Sequence, residues 1–184
     1  MRTSELLRSK IREVDDFPTA GIKFKDIMPL LEDPRAFRNT IESLVLPFRT
    51  RKISKVVGID ARGFLLAPAV AYLLGAGLVA ARKKGKLPSK KIIQKHKLEY
   101  GESLLEMHVD SIKKGERVLI IDDVLATGGT VEAAIKLVQK LGGKIAGLGF
   151  LIEIPLGGRK KLKKYKAKIN SLIIYDKVPL RRGF

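Results

Sequence analysis

Residues 118 to 130, Val-Leu-Ile-Ile-Asp-Asp-Val-Leu-Ala-Thr-Gly-Gly-Thr, constrain the fold of this chain more than any other stretch. Four aliphatic residues, Val118 to Ile121, read as a strand buried on both faces, the pattern of a parallel sheet. Two adjacent carboxylates, Asp122 and Asp123, stand at its expected end. The small and hydroxyl residues Ala126, Thr127, Gly128, Gly129 and Thr130 then lead into a helical pattern from Val131 to Leu141, apolar at 131, 134, 135, 138 and 141. A loop of this kind at a helix start aims unbonded N–H groups, hydroxyls and the positive end of the helix dipole at an anion. Its glycines let the backbone come close. The loop therefore suits a phosphate, and the carboxylates beside it suit hydroxyls. A ribose carrying a terminal phosphate satisfies both. The Walker pattern is absent, and Gly75-Ala-Gly77-Leu-Val-Ala80 leads into a strand instead of following one, so neither rival phosphate signature applies.

The rest of the chain alternates strands and helices. An amphipathic helix is predicted over Ser4–Val14, followed by an irregular stretch from Asp15 to Pro29. Asp33-Pro34 opens a helix as N-cap and first helical residue, running to about Phe48. Lys55–Ile59 reads as a strand, Asp60–Gly63 as a tight turn, Phe64–Leu74 as a helix and Leu78–Ala81 as a strand. Arg82–Lys97 is expected to be a long loop with eight basic residues and no acidic one. Leu98–Tyr100 and Leu104–Val109 look like paired strands, and Gly143–Ile152 and Leu172–Tyr175 like further strands. This order implies βαβ units: an α/β fold, a mostly parallel twisted sheet flanked by helices, in a single domain over 1–184. Ligands in such sheets bind outside the carboxyl ends of the strands. The loops 60–63, 82–97 and 122–130 are thus expected to meet in one cleft.

Composition narrows the function classes. No apolar run approaches the roughly 20 residues of a membrane span, and Met1 to Glu5 has no signal-peptide core. With no cysteine and two histidines, thiolate and histidine-rich metal sites are excluded, and a cytoplasmic enzyme is expected. Two Asn and two Gln in 184 residues suggest a thermophilic source. The net charge of +18, concentrated in Arg82–Lys97 and Arg159–Lys168, attracts polyanions. The second run lacks the interleaved aromatics of base stacking and reads as a solvated surface, so specific nucleic-acid binding is not expected.

The 118–130 segment resembles the phosphoribosyl-diphosphate signature of type I phosphoribosyltransferases. Four further stretches, in order and spacing, resemble adenine phosphoribosyltransferases in particular: Asp16-Phe17-Pro18 with Gly21-Ile22, Phe24, Asp26-Ile27 and Pro29 to Pro34; Ala61 to Leu65; Arg82-Lys83 with Gly85 to Pro88; and Leu98 to Gly101. The match spans about 12 to 155. It implies the type I phosphoribosyltransferase fold, with residues of about 1–34 forming a small hood over the base site. It also implies transfer of ribose 5-phosphate from phosphoribosyl diphosphate to adenine, giving AMP and diphosphate, in a homodimer.

The resemblance implies roles that the side-chain chemistry can meet. Ala126, Thr127, Gly128, Gly129 and Thr130 would hold the 5-phosphate. Asp122 and Asp123 would accept from the ribose hydroxyls and favour an oxocarbenium-like transition state (compare). Arg62, Gly63, Arg82, Lys83 and Lys86 would bind the leaving diphosphate. Mg²⁺ would be held mainly by phosphoribosyl diphosphate, with no direct protein ligand set. Glu99 would act as general acid/base on the purine, and Tyr100 would help close the loop. Ile22, Lys23, Phe24, Lys25 and Val124 would surround the base, with Lys25 standing where the family usually has arginine. Two alternatives stay open on sequence: a phosphoribosyltransferase for hypoxanthine or guanine, and a non-catalytic regulator that senses phosphoribosyl diphosphate and binds nucleic acid.

Overall fold

A computed structural model describes residues 3–97 and 102–176. Its centre is a seven-stranded sheet of order β5-β6-β4-β3-β7-β8-β9. The strands are β3 (Lys55–Ile59), β4 (Gly77–Lys83), β5 (Lys91–Lys97), β6 (Glu102–His108), β7 (Arg117–Leu125), β8 (Lys144–Glu153) and β9 (Ile169–Ile174). From β4 to β9 every neighbouring pair is parallel. Near one edge β6 runs antiparallel to both of its neighbours, β4 and β5.

The aliphatic run at 118–121 is fully buried because helices cover both faces of β7. On one side lies α5 (Gly129–Lys140), whose Val131, Ala134, Ile135 and Val138 pack with Val57, Val118 and Ile120. On the other side α1 (Thr3–Ser9), α3 (Pro34–Val45) and α4 (Ala67–Leu74) enclose Val56, Leu119 and Ile121. Asp33 caps α3, accepting from the N–H groups of Arg35 and Ala36 at 3.0 and 2.9 Å. Pro34 takes the first turn, where no N–H is needed. Pro47, which can donate no backbone hydrogen bond, helps end the α-helix, and the chain tightens into a 3₁₀ turn at Leu46–Phe48.

Four local expectations change. The helix predicted to reach Val14 stops at Ser9, and Arg12–Val14 forms β1, antiparallel to β2 (Phe24–Asp26) within the stretch expected to be irregular. That pairing joins residues far apart in sequence, so helical periodicity carries no trace of it. A short helix α2 (Met28–Glu32) follows β2. The basic loop is half strand: Arg82 and Lys83 end β4, and Lys91–Lys97 pairs with β6. Leu98–Tyr100, the expected partner strand, lies outside the described residues. Finally, Asp122 and Asp123 do not follow the strand but lie within it. Pairing with β3 stops at Ile121, while pairing with β8 continues to Leu125. The two acids therefore sit on strand backbone that projects past β3 into the space at the carboxyl ends.

Candidate active site

The loop after β7 is half-buried and held from behind. Gly128, in the left-handed region at φ 76°, is the N-cap of α5, and no side chain caps the helix there. Gly158 donates its N–H to the Ala126 carbonyl at 2.9 Å. A Cβ at Gly158 would collide with that carbonyl. The glycine turn before α6 (Gly158–Leu162) thus sets the curvature of the Ala126–Thr130 loop.

Both carboxylates meet the turn after β3. Gly63 packs so close to β7 that a Cβ there would lie 2.9 Å from the Ile121 carbonyl and 3.0 Å from Asp122 Oδ1. Buried Oδ2 of Asp123 lies 2.8 Å from Nε of Arg62, an ion pair without a well-aligned hydrogen bond. The Asp123 N–H donates to Asp122 Oδ1 at 3.0 Å. Loss of hydration pushes the Asp122 carboxyl well above its ordinary range, and the neighbouring Asp123 charge adds to this. Asp123 is also pushed up by burial, against the opposing pull of the Arg62 guanidinium. Two like charges at this spacing do not ionise independently.

The expected diphosphate cations gather beside this turn. Asp60 accepts from Arg82 Nε at 3.3 Å and from the Lys83 N–H at 3.4 Å. The Arg82 guanidinium also reaches the Lys86 carbonyl at 3.3 Å. Arg82 thus lies beside the turn that carries Arg62, and Lys83 and Lys86 meet it through backbone groups. Of the segments 60–63, 82–97 and 122–130 expected to meet, the turn after β3 touches Arg82 and Lys83 on one side and Asp122 and Asp123 on the other, while Lys91–Lys97 pairs with β6 as β5.

On the other side, β1 and β2 wall an open groove of about 370 Å³ lined by Val14, Phe17, Phe24, Asp26, Met28 and Arg62. The rings of Phe17 and Phe24 meet edge to face at 5.0 Å. The Arg62 guanidinium lies 4.8 Å from the Phe24 centroid and 3.4 Å from the Lys25 carbonyl, so a single side chain spans the carboxylates and the groove. Lys25 has its side chain on the opposite face of β2, buried against Glu13 and the Tyr175 ring; only its backbone faces Arg62. Lys23 is exposed and pairs with Asp15 at 3.5 Å. Ile22 is half-buried in the turn before β2, and its carbonyl accepts from the Phe17 N–H at 3.3 Å. Val124 is half-buried against the same core as Ile27 and Leu30. Glu99 and Tyr100 lie outside the described residues.

Phe17, Asp26 and Met28 line the groove although sequence reasoning assigned them no role. Asp26 is tied by Arg12 at 3.0 Å and by the Met28 N–H at 3.0 Å. These bonds, the backbone one foremost, hold its carboxyl below the usual range. Its opposite number on β1 is Arg12, so the signal lay in a hairpin register that no local pattern marks.

Among the described residues no group of three or more acidic or histidine side chains could cage a metal. Two adjacent carboxylates facing a phosphate-shaped loop nevertheless suit a hard cation that arrives on phosphate oxygens.

A mostly parallel sheet whose central strand carries two adjacent acids near its carboxyl end, followed by a glycine turn into a helix, is the fold of a phosphoribosyltransferase: the family model of the phosphoribosyl transferase domain matches residues 27–179. Relatives matching nearly the whole chain narrow this. The chain is 49% identical over 167 residues to an adenine phosphoribosyltransferase of Roseobacter denitrificans, covering 90% of this chain and 95% of the relative. The crystal structure of the adenine phosphoribosyltransferase from Rhodothermus marinus superposes with TM-score 0.90 at 48% identity, over 94% of this chain and 98% of that one. A Giardia lamblia enzyme of the same name, complexed with 9-deazaadenine, gives TM-score 0.91 at 36% identity over 96% of this chain and all of that one. The chain belongs to the adenine phosphoribosyltransferase family.

Proposed function

We propose that the protein transfers ribose 5-phosphate from phosphoribosyl diphosphate to adenine. A bond forms from a purine ring nitrogen to the anomeric carbon, the bond from that carbon to the diphosphate oxygen breaks, and the purine nitrogen loses its proton. The observation that carries the reading is Arg62, which touches Asp123 and the Phe24 ring at once and so joins a ribose-phosphate site to an aromatic-walled groove.

In this reading the Ala126–Thr130 loop holds the 5-phosphate through backbone N–H groups and threonine hydroxyls. Asp122 and Asp123 accept from the ribose hydroxyls. Carboxylate charge on this pair beside the anomeric carbon favours the positive charge that grows there as diphosphate leaves. Arg62, Arg82, Lys83 and Lys86 receive the charge accumulating on the departing group. Phe24 lies against the purine face, the backbone of Ile22 to Lys25 reads its edge, and Val124 closes the other side. Glu99 takes the purine proton and Tyr100 helps shut the loop. Asp122 and Asp123 would lie near a Mg²⁺ ion brought in with phosphoribosyl diphosphate, and that ion would supply charge neutralisation for the leaving group.

A homodimer fits the surface. Leu65, Tyr72, Leu73 and Leu78, grouped around α4 and the start of β4, are 43%, 84%, 48% and 52% exposed. Apolar side chains clustered this way mark an interface. Light scattering should report a dimer that Tyr72→Asp with Leu78→Asp converts to monomer. No helix among the described residues is long and apolar enough to cross a membrane.

The deciding assay offers phosphoribosyl diphosphate and Mg²⁺ with adenine, hypoxanthine or guanine in parallel and separates the products. AMP from adenine alone supports the reading, and chelation of Mg²⁺ should abolish it. IMP or GMP instead would move the substrate. Binding of phosphoribosyl diphosphate with no nucleotide from any base would sink the enzyme reading.

A further inference from the structure

The Lys25 side chain is 6% exposed, yet it lines no ligand surface. Strand alternation turns Phe24 and Asp26 toward the groove and Lys25 away from it. Its ammonium pairs with Glu13, directly opposite on β1, and lies 4.3 Å from the Tyr175 ring centroid. Arg8 also lies against that ring, at 4.6 Å, and donates to the Ile174 carbonyl at 2.7 Å. The ring thus holds two cations, one from α1 and one from β2.

Tyr175 is itself anchored. Its N–H donates to the Glu153 carbonyl at 2.9 Å, and Glu153 pairs in register with Leu125, the residue before the phosphate loop. A continuous set of contacts therefore runs from the last residue of β7, through the ends of β8 and β9, to the Lys25 side chain. The backbone of the same Lys25 faces the cleft, where its carbonyl accepts from Arg62 at 3.4 Å.

A buried ammonium costs free energy unless it is well paired, and a large apolar side chain would fill the same space without that cost. What a cation adds is directionality: an acid on one side and an aromatic face on the other fix where the strand backbone lies. We propose that Lys25 is a positioning residue for the base site. Held between Glu13 and Tyr175, it sets the position of β2, and with it the Phe24 ring and the backbone that reads the purine, relative to the phosphate loop. This rests on the reading of the groove as the purine site.

The test uses Lys25→Met and Tyr175→Leu, with Lys25→Arg and Tyr175→Phe as conservative partners. Amide exchange of the peptide containing Phe24 to Asp26 should quicken about tenfold in Lys25→Met and Tyr175→Leu, while β7 stays protected. KM for adenine should rise about tenfold, with KM for phosphoribosyl diphosphate held within about twofold. Lys25→Arg and Tyr175→Phe should recover most of both effects. Unchanged exchange at β2 would overturn the clamp. Faster exchange with unchanged KM for adenine, or with both KM values rising together, would overturn its positioning role. If the wild type forms no AMP, the functional reading fails, and the exchange measurement still decides whether the clamp exists.

Discussion

The proposed phosphate side of the cleft and the proposed purine side are built by opposite means. Between Leu125 and Gly129 the chain would offer a ligand its own backbone, curved by Gly128 and braced by the Gly158 N–H. The groove under β2 is assembled from side chains, with Val14, Phe17, Phe24, Asp26, Met28 and Arg62 brought together by a hairpin and a turn from another part of the sheet. A backbone site tolerates no displacement of the chain, because its donors have no rotamers with which to recover. A side-chain site can lose one wall and keep its outline. The first should therefore fail sharply when perturbed, the second gradually and for one substrate only.

The largest effect should come from the paired carboxylates beside the turn that carries Arg62, the side chain shared by both sides. Asp123→Asn removes the charge facing Arg62, and Asp122→Asn the one facing Gly63. Each should lower kcat by about 10²–10³, as loss of a charge-stabilising group in a preorganised site does. Circular dichroism should show the fold intact. Next, Gly158→Ala should force the Ala126 carbonyl to move and raise KM for phosphoribosyl diphosphate by about 10², since displacements of an ångström cost that much. KM for adenine should change little. Phe24→Ala should do the reverse, raising KM for adenine about tenfold through lost ring contact and sparing phosphoribosyl diphosphate. If Gly158→Ala and Phe24→Ala shift both constants alike, the two sides are one cooperative unit and the contrast fails.

The smallest effect is on stability. Both carboxyls of the pair have folded-state values raised above the ordinary 3.8. The folded protein therefore binds more protons than the unfolded chain between 3.8 and the raised values. The pair's contribution to stability is fully present below 3.8 and lost as pH rises through the folded values. Asp122→Asn should accordingly melt higher than wild type near pH 7, with the gap closing toward pH 4. A wild-type protein more stable than Asp122→Asn at pH 7 would show that the pair is held by contacts beyond Arg62. Asp26 and Glu132, whose carboxyls are held low, work in the opposite sense and are common to both proteins.

The same contrast governs what could be read from residues alone. The strand at 118–121, the glycine loop and the helix after it form one contiguous stretch, and each states its role through local chemistry. So do the Asp33-Pro34 start of α3 and the β3 turn. The hairpin of β1 and β2 was missed because Glu13 and Lys25 meet only after the chain has folded back. Half of the basic stretch is strand, and its charges hide the pairing of β5 with β6. The side-chain direction of Lys25 was illegible for a related reason: which face of a short strand is inward depends on what packs there.

Sequence by itself determined the parallel sheet, the phosphate loop and the acids beside it, because backbone geometry and hydrophobic period act over a few residues. It also carried the family resemblance. Tertiary structure alone decided that the acids lie within a strand projecting past β3. It alone set Arg62 between Asp123 and Phe24, and turned Lys25 to Tyr175. Those outcomes depend on contacts between segments far apart in the chain, where register, burial and charge pairing are settled together.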